Sequence, residues 1–457
     1  MRGYVPTPEP VVDLMVDKLF AHRPPRSADR LLDPGCGPGA FIAGVLRGCA
    51  RRGLAPPRIL GVEEHAAFAA EARARFSGEP AVQIHHRDFL AGDPGQFEHV
   101  VGNPPYVPIT GLSEAEKSSY RARFQTARGR FDLYLLFFEQ ALAALAPGGR
   151  LVFITPEKFL YVESARPLRR LLAQAGVEEV ALLPEDVFAP LVTYPAVTTV
   201  QVDAVAGPGR LLRRDGGVLP LTLDPAGASL MPQIQGAPAT AAPYGPVLED
   251  LCLRVSAGVA TGADSVFVRG QVSLPGPLCP FARPTLSGRQ LAGQGRPLRP
   301  RDVMLLPYDP SGALLPEDQL GALGALLREP AIRARLEART CARRKPWYAF
   351  HETPPLPDLL RPKLLCKDIA ARPEFWADEQ GDLVPRHSAY YVVPRDPALL
   401  GPLCAYLNSE PAARWLQAHC HRAANGFLRL QSSVLKRLPL PESLLPTLPA
   451  MASEPAA

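Results

Sequence analysis

Four consecutive residues, Asn103-Pro104-Pro105-Tyr106, have types and spacing that could hold a planar amino group. The side-chain oxygen of Asn103 and the carbonyl of Pro104 can both accept hydrogen bonds from one exocyclic NH2, and Tyr106 offers a flat ring for stacking. The two prolines fix φ and make the acceptors rigid. An amine on an aromatic ring is a weak nucleophile and needs such acceptors before it attacks a methyl group. Because the chain has 53 prolines, the four residues could also form an ordinary proline-rich turn. The surrounding sequence must distinguish between these two interpretations.

Short apolar runs alternate with helical patterns in the first 205 residues. Each run that reads as a strand is followed by a segment with helical spacing, and repeated βα units predict a parallel sheet with helices on both faces. Ligands of such sheets bind at the carboxyl ends of the strands, where the four-residue loop lies. The sequence therefore predicts an α/β fold of Rossmann-like type, with strands at residues 30–33, 58–63, 82–86, 98–101 and 150–154.

A glycine loop and three acidic residues follow the predicted strands. Gly35, Gly37 and Gly39 come directly after the first strand, while Asp33, Glu63 and Asp88 end the first, second and third strands. An acidic group after the second strand is suited to both hydroxyls of a ribose, and one after the third strand can accept from an adenine amino group. The loop has no following lysine of the P-loop type, and nicotinamide dehydrogenases rarely place Asn-Pro-Pro-Tyr after a fourth strand. This set of residues best fits S-adenosylmethionine.

Composition excludes several other classes of protein. With 457 residues and 47% hydrophobic content, the chain is expected to form two domains. It has no apolar run of about 18–20 residues and no signal-peptide core, so a cytoplasmic, bacterial location is expected. Its eight cysteines form no Cys-x-x-Cys pair, which argues against disulfides and a zinc ribbon. Neighbouring residues of a helix point in different directions, so His419-Cys420-His421 is interpreted as structural, and no metal is expected. The remaining histidines considered, which are expected to be structural or exposed, are His22, His65, His85 and His86.

Residues 3–205 resemble the catalytic domain of the gamma class of amino-methyltransferases, and in particular the Taq-type N6-adenine DNA methyltransferases of restriction–modification systems. A cofactor motif ahead of the glycine loop marks the gamma order. The matching segments, in chain order, are Gly3-Tyr4-Val5-Pro6-Thr7-Pro8, residues 11–16, Leu32-Asp33-Pro34-Gly35-Cys36-Gly37-Pro38-Gly39, Gly61-Val62-Glu63, Asp88-Phe89-Leu90, Asn103-Pro104-Pro105-Tyr106, Arg130-Phe131-Asp132-Leu133-Tyr134, Pro147-Gly148-Gly149 and Asp186-Val187-Phe188.

The resemblance implies a role for individual residues. Thr7 would hold the methionine carboxylate of S-adenosylmethionine together with the amides around Gly35 and Gly37, and Asp33 would support that loop. Glu63 would bind the ribose and Asp88 the cofactor adenine. Phe89 and Phe137 would pack near this adenine, and Pro105 would also bind the cofactor. In the catalytic set, Asn103 and Pro104 would hold N6 of a flipped-out adenine, with Tyr106 and Phe188 stacking on its two faces. No general base and no metal are required.

The second half of the chain is expected to recognise the substrate. Its net charge is positive, and seven basic residues fall between Arg328 and Lys345, directly before Trp347 and Tyr348. Basic groups interleaved with aromatic rings are typical of nucleic-acid binding, although a solvated helix face is the alternative. The residues expected to face DNA are Arg343, Arg344, Lys345, Trp347 and Tyr348. The segments 255–264 and 403–441 resemble parts of target-recognition domains in restriction–modification enzymes.

These expectations define four segments: a catalytic domain at 1–205, a linker at 206–245, a mixed α+β target-recognition domain at 246–445, and a tail at 446–457. Double-stranded DNA is the expected partner of a monomer, with a separate cognate restriction endonuclease. A fused nuclease is not expected, since the catalytic motifs begin at residue 3. The alternatives are methylation of an RNA guanine N2, a protein glutamine or a cytosine N4, and a DNA-binding subunit without activity.

Overall fold

Alternating strands and helices form most of the first half of the chain. The computed structural model divides the protein into two units, Met1–Ala239 and Thr240–Ala457. It describes residues 3–188, 194–203, 208–235, 245–292, 297–422, 427–441 and 444. Within these ranges, no helix is long and apolar enough to cross a membrane. All eight cysteines are free thiols.

The first unit contains a nine-stranded sheet flanked by helices. Its strands have the spatial order β3-β2-β1-β4-β5-β7-β6-β8-β9. The elements, in chain order, are α1 Glu9–Leu19, β1 Arg30–Pro34, α2 Ala40–Arg51, β2 Arg58–Glu63, α3 Ala66–Arg75, β3 Val82–His86, β4 Phe97–Gly102, α4 Glu114–Arg123, α5 Leu133–Ala143, β5 Leu145–Pro156, α6 Arg166–Ala175, β6 Val177–Leu182, β7 Pro195–Gln201, β8 Gly209–Leu212, β9 Val218–Leu221 and α7 Met231–Ile234.

The strand order reverses between β1 and β4, which places a crevice at their carboxyl ends. Strands β1 to β5 pair in parallel, whereas β7 pairs antiparallel with both β5 and β6. A strand-order reversal in a parallel sheet is where ligands of such folds bind. The glycine loop follows β1 and the Asn103 loop follows β4, so both flank this crevice. The predicted Rossmann-like α/β fold is confirmed.

Successive apolar side chains of the central strands point to opposite faces of the sheet, so each face has its own core. Leu31 and Val101 pack with α1, α2 and α3, while the adjacent Leu32 and Val100 pack with α5 and α6 on the other face. Successive side chains of a strand point to opposite faces, so an uninterrupted apolar run is what a sheet covered on both sides requires. The helices on each face thereby fix the position of the loops at the strand ends.

The predicted linker at 206–245 is wrong for much of its length. Strand β8 pairs in parallel with β6, and β9 pairs with β8 at the edge of the nine-stranded sheet. Leu211 and Leu221 are buried there. Pro220 is tolerated in β9 because an outermost strand has no further neighbour that needs its missing N–H. The glycine- and proline-rich stretch 236–243 and the tail at 446–457 lie outside the described residues.

The second unit is a mixed α+β structure. A four-stranded antiparallel sheet has the order β10-β17-β14-β16, and two three-stranded sheets have the orders β11-β13-β12 and β15-β19-β18. Its elements are β10 Cys252–Ala257, α8 Asp264–Phe267, β11 Val268–Gly270, β12 Ala282–Thr285, α9 Gly288–Leu291, β13 Asp302–Leu305, α10 Gly321–Leu327, α11 Pro330–Glu337, α12 Leu356–Leu359, β14 Lys363–Lys367, β15 Ile369–Ala370, β16 Phe375–Asp378, β17 Ala389–Pro394, α13 Leu400–Leu407, α14 Glu410–His419, β18 His421–Arg422, β19 Leu428–Arg429 and α15 Ser432–Leu435.

The four-stranded sheet of the second unit is also covered on both faces. Leu365 and Tyr391 belong to one buried cluster, and their neighbours Leu364 and Val392 belong to another. The unit therefore has its own core, as the predicted mixed α+β class requires.

Candidate active site

A cavity of about 340 Å³ lies at the carboxyl ends of the central strands of the first unit. Seven of the residues that the sequence assigns to cofactor or substrate line it together. Parallel strands end at one edge of a sheet, which is why residues far apart in the chain meet there. The residues lining this cavity are Gly3, Tyr4, Gly35, Val62, Glu63, Glu64, His65, Phe68, Arg87, Asp88, Phe89, Asn103, Pro105 and Phe137.

The carboxylate of Glu63 binds the main chain of the glycine loop. The Gly37 N–H donates to Glu63 Oε2 at 2.8 Å, and the His65 N–H donates to Glu63 Oε1 at 2.7 Å. Gly37 has φ +54°, and a Cβ atom added there would lie 2.9 Å from the ring of Tyr4. A larger residue would therefore be strained and would displace Tyr4. Each oxygen of Glu63 keeps a further lone pair for a ligand hydroxyl.

Asp33 is fully buried at the end of β1, and within the described structure neither of its carboxyl oxygens has a hydrogen-bond partner. Its support of the loop is through the main chain, where its carbonyl accepts from the Gly35 N–H at 3.1 Å. Burial, and then the negative charge of Glu63, raises the pKa of Asp33 well above its usual range. The carboxyl group is thus held in its neutral form in the ligand-free protein.

Asp33→Asn is expected to flatten the pH dependence of stability of the ligand-free protein. Because the folded-state pKa of Asp33 is raised, the folded protein retains a proton that the unfolded chain loses above pH about 3.9. The free energy of unfolding of the wild type consequently falls as the pH rises toward the folded pKa. An amide does not titrate, so this contribution is missing in the variant. Urea unfolding over a series of pH values measures the difference.

A suitable control is Asp93→Asn, because Asp93 is exposed and asparagine can keep its turn hydrogen bond, which the Gly95 N–H donates at 2.8 Å. This variant should follow the wild-type pH profile. Identical profiles for Asp33→Asn and wild type would contradict a raised pKa for Asp33.

Asp88 and two aromatic rings also line the cavity. Asp88 Oδ1 accepts from the Leu90 N–H at 2.8 Å and so caps the short turn that places Phe89. Burial raises the pKa of Asp88. The rings of Phe89 and Phe137 lie 5.2 Å apart between centroids. A polar acceptor beside two apolar rings is suited to a heteroaromatic group with an amino substituent.

The amide of Asn103 is fixed by the N-terminal segment. Its Nδ2 donates to the Val5 carbonyl at 2.9 Å and to Thr7 Oγ1 at 3.0 Å. A carbonyl can only accept, so the amide nitrogen must face Val5 and the amide oxygen must face away. Asn103 Oδ1 is buried and has no partner among the described residues. Thr7, predicted to hold a cofactor carboxylate, therefore contacts the Asn103 loop.

Tyr106 is held at both ends. Its N–H donates to the Gly3 carbonyl at 3.1 Å, and its hydroxyl donates to the Ile154 carbonyl at 3.4 Å. Its ring contacts Tyr134 edge to face, with centroids 6.2 Å apart. Burial raises the pKa of Tyr106, so the phenol stays neutral. Pro104, between Asn103 and Tyr106, is buried, which makes the loop rigid.

Phe188 and Tyr106 pack with different core clusters. The side chain of Phe188 is 4% exposed and packs in the cluster that joins α1 and α2 to the sheet, whereas Tyr106 packs against the cluster of the other face. Stacking of Phe188 on a substrate ring stays a prediction.

Sequence reasoning gave no role to several residues of the cavity. Tyr4 and Phe68 pack at 4.7 Å, and His65, expected to be structural or exposed, lies 5.3 Å from Phe68. In the sequence, Tyr4 is one residue of the N-terminal motif, and Phe68 is one apolar residue of an alanine-rich helix. Neither position has a charge or a spacing that points to a ligand.

The predicted DNA-facing residues of the second unit separate into two groups. Tyr348 is 6% exposed and its hydroxyl donates to the Leu315 carbonyl at 2.9 Å, so the expectation that this ring faces DNA is corrected. Trp347 is partly buried beneath the guanidinium of Arg333, 5.2 Å from its ring centre. Arg343 and Arg344 are exposed and Lys345 is partly exposed. The aromatic residues belong to the core of the unit, and the cations do not.

His419, in the segment interpreted as structural, stacks on Trp415 with 3.9 Å between ring centroids. Across the part of the chain that the structure describes, no group of three or more His, Cys, Asp or Glu side chains is placed to hold a metal ion.

Comparison with known proteins points to one group of enzymes. Residues 63–188 match the family described as Eco57I restriction-modification methylase. The chain is 29% identical to the type II methyltransferase M.PaeR7I of Pseudomonas aeruginosa, over 96% of this chain and 86% of the relative. It is 27% identical to the type II methyltransferase M.XhoI of Xanthomonas vasicola, over 96% of this chain and 91% of the relative.

A solved structure shares the fold over most of this chain. The ATP-dependent type ISP restriction-modification enzyme LlaBIII bound to DNA superposes with a TM-score of 0.51 at 11% identity. The match covers 86% of this chain and 33% of that much longer chain. At this identity the likeness shows the fold alone.

Proposed function

We propose, from the premise that this chain is a gamma-class restriction–modification methyltransferase, that it transfers a methyl group from S-adenosylmethionine to N6 of a flipped-out adenine in double-stranded DNA. The observation that carries the proposal is the buried, unpartnered Oδ1 of Asn103 beside the cavity. A buried acceptor left without a donor is costly in a folded protein, so a ligand donor is its natural partner.

The residues of the cavity fit S-adenosylmethionine. Glu63 braces the glycine loop and keeps lone pairs for ribose hydroxyls, and Asp88 lies beside the aromatic pair that suits an adenine ring. Asp33 is not among the residues that line the cavity; its main-chain carbonyl supports the glycine loop that would bind the methionine part. When bound, this cofactor supplies an electrophilic methyl group.

Asn103 and Pro104 would activate the amine. The lone pair of an adenine N6 is delocalised into the ring, and two acceptors on its hydrogens favour tetrahedral geometry at nitrogen. The same acceptors stabilise the positive charge that develops during transfer, which is an effect on the transition state. The methylated amine is acidic enough to lose its proton to water afterwards, so no strong general base is needed.

Tyr106 would stack on the flipped base, since its backbone and hydroxyl are both fixed. A base inside a duplex cannot reach a cavity at the end of a sheet, so it must leave the stack. Phe188 would have to leave its core position to contact the other face of the base. The proposal therefore depends on Tyr106 more than on Phe188.

The second unit would provide DNA recognition, with the catalytic domain and the recognition domain working as parts of one monomeric enzyme. Two relatives, matched over 86% and 91% of their length, are type II methyltransferases, which supports a modification enzyme. A separate cognate endonuclease would be its partner.

The substrate class can be tested in one assay. The protein is incubated with S-adenosylmethionine carrying a labelled methyl group and, separately, with duplex DNA of mixed sequence, ribosomal RNA or a release factor. We expect label in DNA alone, recovered as N6-methyladenine after digestion to nucleosides. Label in RNA guanine, in protein glutamine or in N4-methylcytosine would each overturn the proposed substrate.

A further inference from the structure

We propose that a concave surface of the second unit binds phosphates of the DNA backbone; this rests on the proposed function. The surface, here the Arg343 concavity, encloses about 430 Å³ and is lined by Thr340, Cys341, Arg343, Arg344, Lys345 and His351. Three of these residues are cations and none is acidic. The ligand that matches this charge is an anion. Because the side chains of both arginines are exposed, an extended anion can reach them.

Three other cations in the same basic segment are already used within the protein. Arg328 pairs with Glu317 at 2.9 Å, and Arg333 pairs with Glu337 at 2.8 Å. Arg339 is structural, because its guanidinium donates to four main-chain carbonyls, those of Thr261, Leu336, Trp347 and Ala349. In contrast, no ion pair involves Arg343, Arg344 or Lys345 among the described residues.

The concavity is preorganised by its backbone. Cys341 is buried, and its carbonyl accepts from the N–H groups of both Arg344 and Lys345 at 3.0 Å, which fixes the turn that carries the cations. Lys345 Nζ is tethered to the His351 carbonyl at 3.2 Å and to Thr353 Oγ1 at 3.3 Å. An ammonium group has three donors, so one is left for a ligand. Little side-chain entropy is then lost when an anion binds at Lys345.

The lining favours a phosphate backbone over bases. No aromatic ring besides His351 lines the surface, because Trp347 and Tyr348 are directed into the core. Guanidinium groups match phosphate oxygens in a bidentate manner, and such contacts position a protein on DNA without reading sequence. The concavity should therefore add affinity and salt dependence but little specificity.

The test compares the triple variant Arg343→Gln, Arg344→Gln, Lys345→Gln with a matched control, Arg328→Gln, Arg333→Gln. Binding of a fluorescent duplex is measured by anisotropy over a series of chloride concentrations. Each lost phosphate contact lowers the slope of log K against log salt by about 0.9. We expect the slope of the triple variant to be lower than that of the wild type by about 2 to 3, and that of the control by less than about 1. The affinity of the triple variant should fall by one common factor for all DNA sequences.

A wild-type slope in the triple variant would overturn the inference, as would a loss confined to one DNA sequence. Unchanged S-adenosylmethionine binding and an unchanged unfolding midpoint establish that the variant is folded; if it is not, Arg344→Gln alone should lower the slope by about 1. Replacing chloride by inorganic phosphate at equal ionic strength separates the sources of phosphate. If inorganic phosphate displaces DNA from the wild type but not from the triple variant, the Arg343 concavity is a site for the free anion.

Failure of the proposed function gives a different result. If the wild-type protein methylates RNA or protein and not DNA, the proposed function fails before the variants are compared. If the wild type methylates DNA and the triple variant keeps the full salt slope, only the Arg343 concavity is wrongly assigned.

Discussion

Asn103→Ala is expected to abolish methyl transfer while S-adenosylmethionine still binds. The variant removes Oδ1, which is the unpartnered acceptor at the cavity, together with the Nδ2 donor to Val5 and Thr7. Losing one preorganised group that stabilises transition-state charge typically costs 10²–10³ in rate, and here the acceptor also fixes the substrate nitrogen. We therefore expect single-turnover transfer to fall by at least about 10³-fold.

The measurement pairs quenched-flow transfer from labelled cofactor with calorimetric titration of the cofactor. Binding should change by less than about 3-fold, because Glu63, Asp88 and the glycine loop are untouched. A change of that size is far below the loss expected in rate. Turnover like that of the wild type in Asn103→Ala would remove Asn103 from the mechanism. Loss of cofactor binding would instead assign it a structural role in the cavity.

Much of the first unit follows from local patterns in the sequence. The predicted strand 98–101 corresponds to β4 at Phe97–Gly102, and the predicted strand 30–33 to β1 at Arg30–Pro34. Because parallel strands end at one edge, the acidic residues and the Asn103 loop could be placed together without any knowledge of contacts. Gly35, Glu63, Asp88, Phe89, Asn103 and Pro105 do line one cavity.

The edge of the sheet was not predictable in the same way. Strands β8 and β9 have only four residues each and contain glycine or proline, so their local sequence favours an irregular connection. The pairing of β8 with β6, and of β9 with β8, is what makes them strands. Pairing with a neighbouring strand can override the low strand propensity of a segment. A segment of four residues is also too short to show the alternation of apolar and polar residues that identifies a strand.

Exposure of aromatic and basic residues could not be deduced from the sequence either. Tyr348 and Phe188 were both expected to contact substrate, yet both are buried, since an aromatic ring fits a core as well as a ligand. Arg339 looks like its basic neighbours in the sequence. Only the fold brings Thr261 and Ala349 to its guanidinium.

Thr7→Val is expected to lower the rate of methyl transfer by about 10- to 100-fold with little change in cofactor affinity. Valine has nearly the shape of threonine but cannot accept a hydrogen bond from Asn103 Nδ2. The Val5 carbonyl alone then restrains the amide, so Oδ1 points at the substrate amine for a smaller part of the time. In this role Thr7 is a positioning residue that acts through Asn103.

The resemblance to known methyltransferases implies a different role for Thr7, in which it holds the methionine carboxylate of the cofactor. The two roles differ in what they change: a positioning role lowers the transfer rate at saturating cofactor, while a cofactor-binding role raises the cofactor Kd. Thr7→Ser keeps Oγ1 and should restore most of the rate. If Thr7→Val weakens cofactor binding tenfold and transfers normally at saturation, the hydrogen bond to Asn103 has no part in catalysis. A slow Thr7→Val enzyme with normal cofactor affinity, rescued by serine, would instead mean that the N-terminal segment sets the direction in which the catalytic amide faces.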